Sequence, residues 1–215
     1  MILAAIVGLA APPARAASIS LLDAVWAPAF NQASYTVYNL LPGLDLTVGA
    51  SNGGGRLWWD ASEGLGVKGG LNSDEIDYGE VLTLSFSQPV FLTSFKVYDL
   101  FRETWSSHGG WYNESGYAVL DGGPSVAFAA GNSEVYPGWD LPGDGVKVVS
   151  VGVGGVSQIQ FFANRSHNLN KRNHDYQLGG LDLELPAAAV PEPGSGLLLV
   201  SALGLGAWWR RRHAG

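Results

Sequence analysis

From Ser18 to Leu185 the chain is a succession of short strand-like runs, several of them separated by turn dipeptides and the clearest alternating apolar with polar residues. A period of two sends successive side chains to opposite faces of a strand, so one face can meet a core while the other meets water. Val81-Leu82-Thr83-Leu84-Ser85-Phe86 shows the pattern, and so does Leu181-Asp182-Leu183-Glu184-Leu185. In the second run the leucines are expected inside, with Asp182 and Glu184 outside. Turn chemistry separates the runs at Pro42-Gly43, Asn52-Gly53, Asp121-Gly122, Pro142-Gly143, Asp144-Gly145 and Gly154-Gly155. Strands are predicted near Ser18–Leu22, Ser34–Asn39, Leu44–Val48, Arg56–Asp60, Val81–Phe86 and Phe91–Asp99. Further strands are predicted near Gly116–Leu120, Ser125–Ala129, Val146–Val153, Val156–Phe162 and Tyr176–Leu185. Thirty glycines and only 14% charged residues favour strands and turns over helices. No amphipathic helix and no repeat of fixed period interrupts the series, which counts against a solenoid or a propeller. The expected fold is all-β: an antiparallel β-sandwich of jelly-roll type over residues 17–185.

Both ends of the chain have a different character. Residues 1–16 read as a signal peptide: an apolar run from Ile2 to Ala11, the Pro12-Pro13 break, then Ala14-Arg15-Ala16 as an A-x-A cleavage site. Ala14 and Ala16 are the small residues of that site, although no Lys or Arg precedes the apolar run. The other end is a linker over 186–193, an uncharged run over 194–209 and a basic segment over 210–215. Pro191 and Pro193 push Val190 and Glu192 into an extended conformation, which suits a protease or transpeptidase substrate. As a helix, 194–209 would be about 24 Å long. That is somewhat short of the hydrocarbon core, but Trp208 and Trp209 suit the interface and arginines can reach the headgroups. A single C-terminal transmembrane helix is therefore expected, with Arg210, Arg211 and Arg212 as the stop-transfer cluster that keeps the basic end cytoplasmic.

Val190-Pro191-Glu192-Pro193, the Gly/Leu/Ala-rich run and the terminal arginines together closely resemble the PEP-CTERM sorting signal of Gram-negative-type bacteria. The same tail also goes by the name ice-binding protein C-terminal domain, and nothing in that name makes this chain bind ice. The resemblance covers about an eighth of the chain. It implies processing by an exosortase, a membrane-embedded cysteine enzyme, during export. It also implies association with extracellular polysaccharide and biofilm matrix. The expected route is export, anchoring in the inner membrane through the helix, then release to the cell surface or extracellular matrix. An ordinary tail anchor that is never cut is the alternative, although it has no need of the two prolines.

Between residues 17 and 190 lie 8 basic and 18 acidic residues, a net charge of −10. That charge opposes binding to nucleic acid, and none is expected as a partner. The absence of cysteine excludes disulfides, thiolate chemistry and cysteine-bound zinc.

Gly64–Phe86 places Asp74, Glu75, Asp77 and Glu80 in a glycine-rich loop just before a strand. It looks like a segment common in sandwich domains that carry the sorting tail, where a D-E-I-D turn leads into a strand. Clustered carboxylates on a flexible loop suit calcium, and Asp74, Asp77 and Glu80 are the side chains expected to hold a structural Ca²⁺. The spacing is not that of an EF-hand, since position twelve from Asp74 is Ser85. The other reading has one carboxylate capping the turn, one paired with Lys68 or Arg56, and the rest solvated.

Trp58 and Trp59 are adjacent on a strand, so only one of them can enter the core. The loop Arg102–Ser115 carries Trp105, Trp111 and Tyr112, which would make a stacking platform for a polysaccharide. Large aromatics also fill sandwich ends, and that reading competes with the platform. Glu103 and Glu114 could flank one loop as a glycosidase pair does, yet any acidic protein offers such pairs. His108, His167 and His174 lack a G-x-S-x-G or H-E-x-x-H context, and the chain is not expected to be an enzyme. The domain is expected to be structural or adhesive, with a carbohydrate-binding module as the alternative and a hydrolase third.

Overall fold

The computed structural model describes residues 14–52, 54–69, 74–105, 110–131, 145–164 and 174–185. The strands are β1 (Arg15–Ser20), β2 (Ser34–Leu41), β3 (Leu44–Ser51), β4 (Arg56–Asp60), β5 (Gly64–Lys68) and β6 (Val81–Tyr98). They continue with β7 (Arg102–Trp105), β8 (Gly110–Asn113), β9 (Ser115–Leu120), β10 (Ser125–Ala129), β11 (Lys147–Ala163) and β12 (Gln177–Leu185). A 3-10 turn, Ala24–Ala29, follows β1. The fold is all-β, as expected. Every pairing is antiparallel, with ten strands in one sheet and β7–β8 in a second of two strands.

β6 organises the large sheet. Its first part, Val81–Phe86, pairs with β3 on one edge and with the Gln158–Phe161 part of β11 on the other. Its last part, Phe91–Tyr98, pairs with β12, while β11 continues along the opposite edge from Lys147 to Val156. The sheet extends through β9 and β10 beside the end of β11, and through β1, β5 and β4 beyond β12. The register of β11 on β6 shifts between Ser150 and Val153, Val153 and Val156, and Val156 and Gln158. Each shift bends and twists the strand, and three in succession curl the sheet.

The curl closes on aromatic rings from distant strands. Phe95 of β6 meets Phe128 of β10 at 5.4 Å and Phe161 of β11 at 5.1 Å between ring centroids, edge to face in both cases. Phe128 continues the chain of rings to Tyr176 at 5.0 Å. Around them lie Leu46, Leu84, Val97, Ile159 and Leu181, all buried. Leu181, Leu183 and Leu185 are buried while Asp182 is exposed, as the alternation predicts.

Two pairs of predicted strands are single long strands. The runs predicted at Val81–Phe86 and Phe91–Asp99 belong to β6, and those at Val146–Val153 and Val156–Phe162 belong to β11. The turn-like residues between the second pair, Gly154-Gly155, lie inside a run of bulges, where a positive φ at Gly155 is absorbed without reversing the chain. β5 has no counterpart among the predicted strands. It is rich in glycine, yet Gly64, Leu65, Gly66 and Val67 are all buried. The predicted loop Arg102–Ser115 contains the β7–β8 hairpin.

Contacts group Arg15–Pro186 as a compact unit. Arg15 and Ala16, the last residues of the expected signal peptide, pair in β1 with Leu185 and Glu184. Ala14 is exposed and precedes the strand. The apolar run of the expected signal peptide lies outside the described residues. So do the linker with Val190, Pro191, Glu192 and Pro193, the helix expected over 194–209, and Arg210, Arg211 and Arg212. Among the described residues no helix is long and apolar enough to cross a membrane.

Candidate functional site

Four carboxyl groups from three segments, Asp60 and Glu63 of the β4–β5 turn with Asp74 and Asp99, lie near enough for their charges to act on one another. Asp60 closes β4. Its Oδ1 accepts hydrogen bonds from Ser62 N at 2.8 Å, Ser62 Oγ at 2.8 Å and Glu63 N at 2.9 Å, which folds residues 60–63 into a turn. Gly64 follows with φ +107°, and a Cβ there would stand 2.3 Å from Leu178 O. Only glycine lets the hairpin lie this close to β12, so Glu63 is carried to Gln177. Asp99 follows directly on β6, and Gln177 is the register partner of Tyr98.

The fourth group, Asp74, reaches the same place through Gly66. A Cβ at Gly66 would be 1.9 Å from Asp74 O, so the 74–76 segment lies directly on β5. Val67 N donates to Glu75 O at 3.1 Å and Ile76 N to Tyr176 O at 2.8 Å, which fixes that segment between β5 and the start of β12.

The Glu63 and Asp99 carboxyls act on one another's ionisation. Gln177 Nε2 donates to Glu63 Oε2 at 2.9 Å. Gln177 is fully buried, and its Oε1 has no hydrogen-bond partner. Burial, then the charges of Asp99 and Asp60, pushes the Glu63 carboxyl up to about 7. Asp99 is also raised: burial acts first, its interaction with Glu63 opposes, and the charges of Asp74 and Asp60 add. Asp60 moves the other way. Burial works against its charge, but the hydrogen bonds from Ser62, Glu63 and Trp58 outweigh it and hold the carboxyl below the ordinary aspartate value.

The acidic run expected to hold calcium is divided between two places. Asp77 and Glu80 form a buried turn in which Glu80 Oε2 accepts from Asp77 N at 3.0 Å and Glu80 N donates to Asp77 O at 3.0 Å. Glu80 thus caps the turn. Its Oε1 is buried without a partner, and burial, opposed by the Asp77 N–H, pushes the carboxyl up to about 7. Asp74 instead acts on Glu63 and Asp99. Among the described residues no group of three or more His, Cys, Asp or Glu side chains is arranged to hold a metal ion.

Trp59 packs against the core and donates Nε1–H to Leu21 O at 2.8 Å. Trp58 takes the outer face, where Phe30 meets it edge-on at 5.0 Å. Trp105 pairs with Gly110, Thr104 with Trp111 and Glu103 with Tyr112 in the β7–β8 hairpin, and the side chains of these residues lie outside the described set. Glu114 is buried and accepts a hydrogen bond from Phe101 N through Oε2. His174 Nδ1 stands 3.4 Å from Ser115 Oγ, which also accepts from Asn164 Nδ2 at 2.9 Å. His108 and His167 lie outside the described residues.

Glu63, Asp99 and Gln177 were not singled out from the sequence. The one local signal was the Asp60-Ala61-Ser62-Glu63-Gly64 turn, which says that the chain reverses but not what it will face. Comparison of the chain with protein-family models, with curated proteins and with solved structures finds no match.

Proposed function

We propose that this is an exported protein of the cell envelope or extracellular matrix, sorted through a PEP-CTERM tail and processed by an exosortase-type enzyme. Its folded part serves as a non-catalytic structural or adhesive β-sandwich of jelly-roll type. The observation that carries the reading is the ordered tail: Pro191-Glu192-Pro193, then sixteen uncharged residues, then Arg210-Arg211-Arg212. In this reading the prolines present an extended recognition element, 194–209 holds the chain in the membrane, and the arginines stop transfer. Support comes also from the compact unit Arg15–Pro186, whose boundary falls before the motif in the sequence. For the sandwich, support comes from β6 and β11, each long enough to serve both halves of a curled sheet, and from Phe95 meeting Phe128 and Phe161 across it.

The test is the intact mass of the protein made in cells with and without the sorting enzyme. Processing is expected only with the enzyme, and is expected to fail when Pro191→Ala and Pro193→Ala are combined. A tail of unchanged mass in both kinds of cell overturns the reading.

A further inference from the structure

We infer that Arg56 and Lys68, with the rings of Phe30 and Trp58, form a binding site for an acidic polysaccharide whose sugar rings carry carboxylates. Arg56 and Lys68 are register partners across the β4–β5 pair, so their side chains leave the sheet on one face. Like charges directly opposite destabilise a sheet, yet here both are drawn to one residue. Arg56 Nη1 donates to Asn31 O at 2.9 Å, and Lys68 Nζ donates to Asn31 Oδ1 at 3.4 Å. Asn31 is fixed along the outer edge of β4: its N–H donates to Leu57 O at 2.8 Å, and Leu57 N donates to Gln32 O at 2.7 Å. Both acceptors of the cations are neutral, so neither cancels a charge. A carboxylate between the two cations relieves their repulsion and adds charge-assisted hydrogen bonds.

The rings beside the cations call for an apolar surface on the same ligand. Lys68 Nζ lies 5.1 Å from the Phe30 ring centroid, and Phe30 meets Trp58 at 5.0 Å. Arg56, Trp58 and Asp60 follow one another along one face of β4, so the indole stands between the cations and the Asp60 carboxylate. Trp58 Nε1–H points to Asp60 Oδ2 at 3.5 Å, which orients the ring. Phe30, Asn31 and Arg56 are exposed, while Trp58 and Lys68 are half-buried. An open face of this kind suits a polymer laid across it. A uronate ring brings an apolar C–H side to the aromatic rings and a carboxylate to Arg56 and Lys68. The surroundings narrow the ligand further. Residues 17–190 carry 8 basic and 18 acidic side chains, which repel a densely charged nucleic acid or an anionic bilayer; a sparsely charged glycan needs only the two cations. The use of the site in adhesion rests on the export proposed above. The site itself belongs to the folded part, and the assay below makes no use of tail processing, so the two readings fail separately.

The experiment is a calorimetric titration of the full chain with an oligogalacturonate, with neutral oligogalactose and poly-glutamate of similar length as comparisons. Saturable binding of the oligogalacturonate is expected, tighter than either comparison by about 10-fold or more and weakening as salt is raised. Arg56→Gln combined with Lys68→Gln keeps both aliphatic stems, and should weaken binding about 10-fold or more without lowering the melting temperature. Phe30→Leu should weaken it about 3-fold or more. Lys96→Ala removes a cation 4.8 Å from the Tyr98 ring elsewhere in the sheet, and should leave binding unchanged. No binding by the wild-type chain overturns the site, and so does binding kept in the double variant. Equal binding of poly-glutamate, or an equal loss in Lys96→Ala, shows general charge attraction and overturns it as well.

Discussion

Gln177 Nε2 donates to Glu63 Oε2 across 2.9 Å, joining residues 114 positions apart in the sequence. The bond ties the tip of the β4–β5 hairpin to the first residue of the last strand. It also brings a buried amide to a carboxyl whose ionisation is opposed by burial and by the charges of Asp99 and Asp60. The fold therefore gathers negative charge around Glu63.

Glu63 and Glu80 make stability depend on pH between the ordinary glutamate value and about 7. In that window the folded state holds protons that the unfolded chain has released, so stability falls as pH rises and levels off above it. In EDTA the wild-type chain is expected to melt at a higher temperature at pH 5.5 than at pH 8. Glu63→Gln and Glu80→Gln should each reduce that difference. Equal wild-type melting at the two pH values would show that these carboxyls stay ionised throughout.

Gly66→Ala should destabilise the fold by about 1–3 kcal/mol or more. The new Cβ would lie 1.9 Å from Asp74 O, a backbone atom that cannot rotate away. The 74–76 segment would have to lift from β5, weakening the Val67–Glu75 hydrogen bond. Urea unfolding measures the cost. A variant as stable as the wild type would mean that this segment does not rest on β5.

Phe95→Ala should cost about 3–5 kcal/mol, since a fully buried ring leaves a cavity among three strands. Phe91→Ala, four residues away on the same strand and 39% exposed, should cost about 1 kcal/mol or less. Equal losses in a denaturant series would place the closing contact of the curled sheet elsewhere.

Much of the sheet was legible in the sequence, because a half-buried strand writes its two faces into alternate residues. β4 and β10 have the predicted ends, and the leucines of β12 point inward as their spacing requires. Trp58 and Trp59 divide between the outer and inner faces for the same reason. Signals that depend on context misled. Gly154-Gly155 reads locally as a reversal, yet the pairing of Val153 and Val156 with β6 on either side of it turns it into a bulge. β5 has too few side chains to show a period, and is a strand because β4 and β12 pair with it.

The sequence by itself determined the all-β class, the alternation of faces and the chemical order of the tail, since each of these is a property of neighbouring residues. Only the tertiary structure decided that Glu63 meets Gln177, with Asp99 next in the chain to the register partner of Gln177. These residues carry no common period or spacing, and Glu63 meets Gln177 because Gly64 lets the hairpin lie against β12.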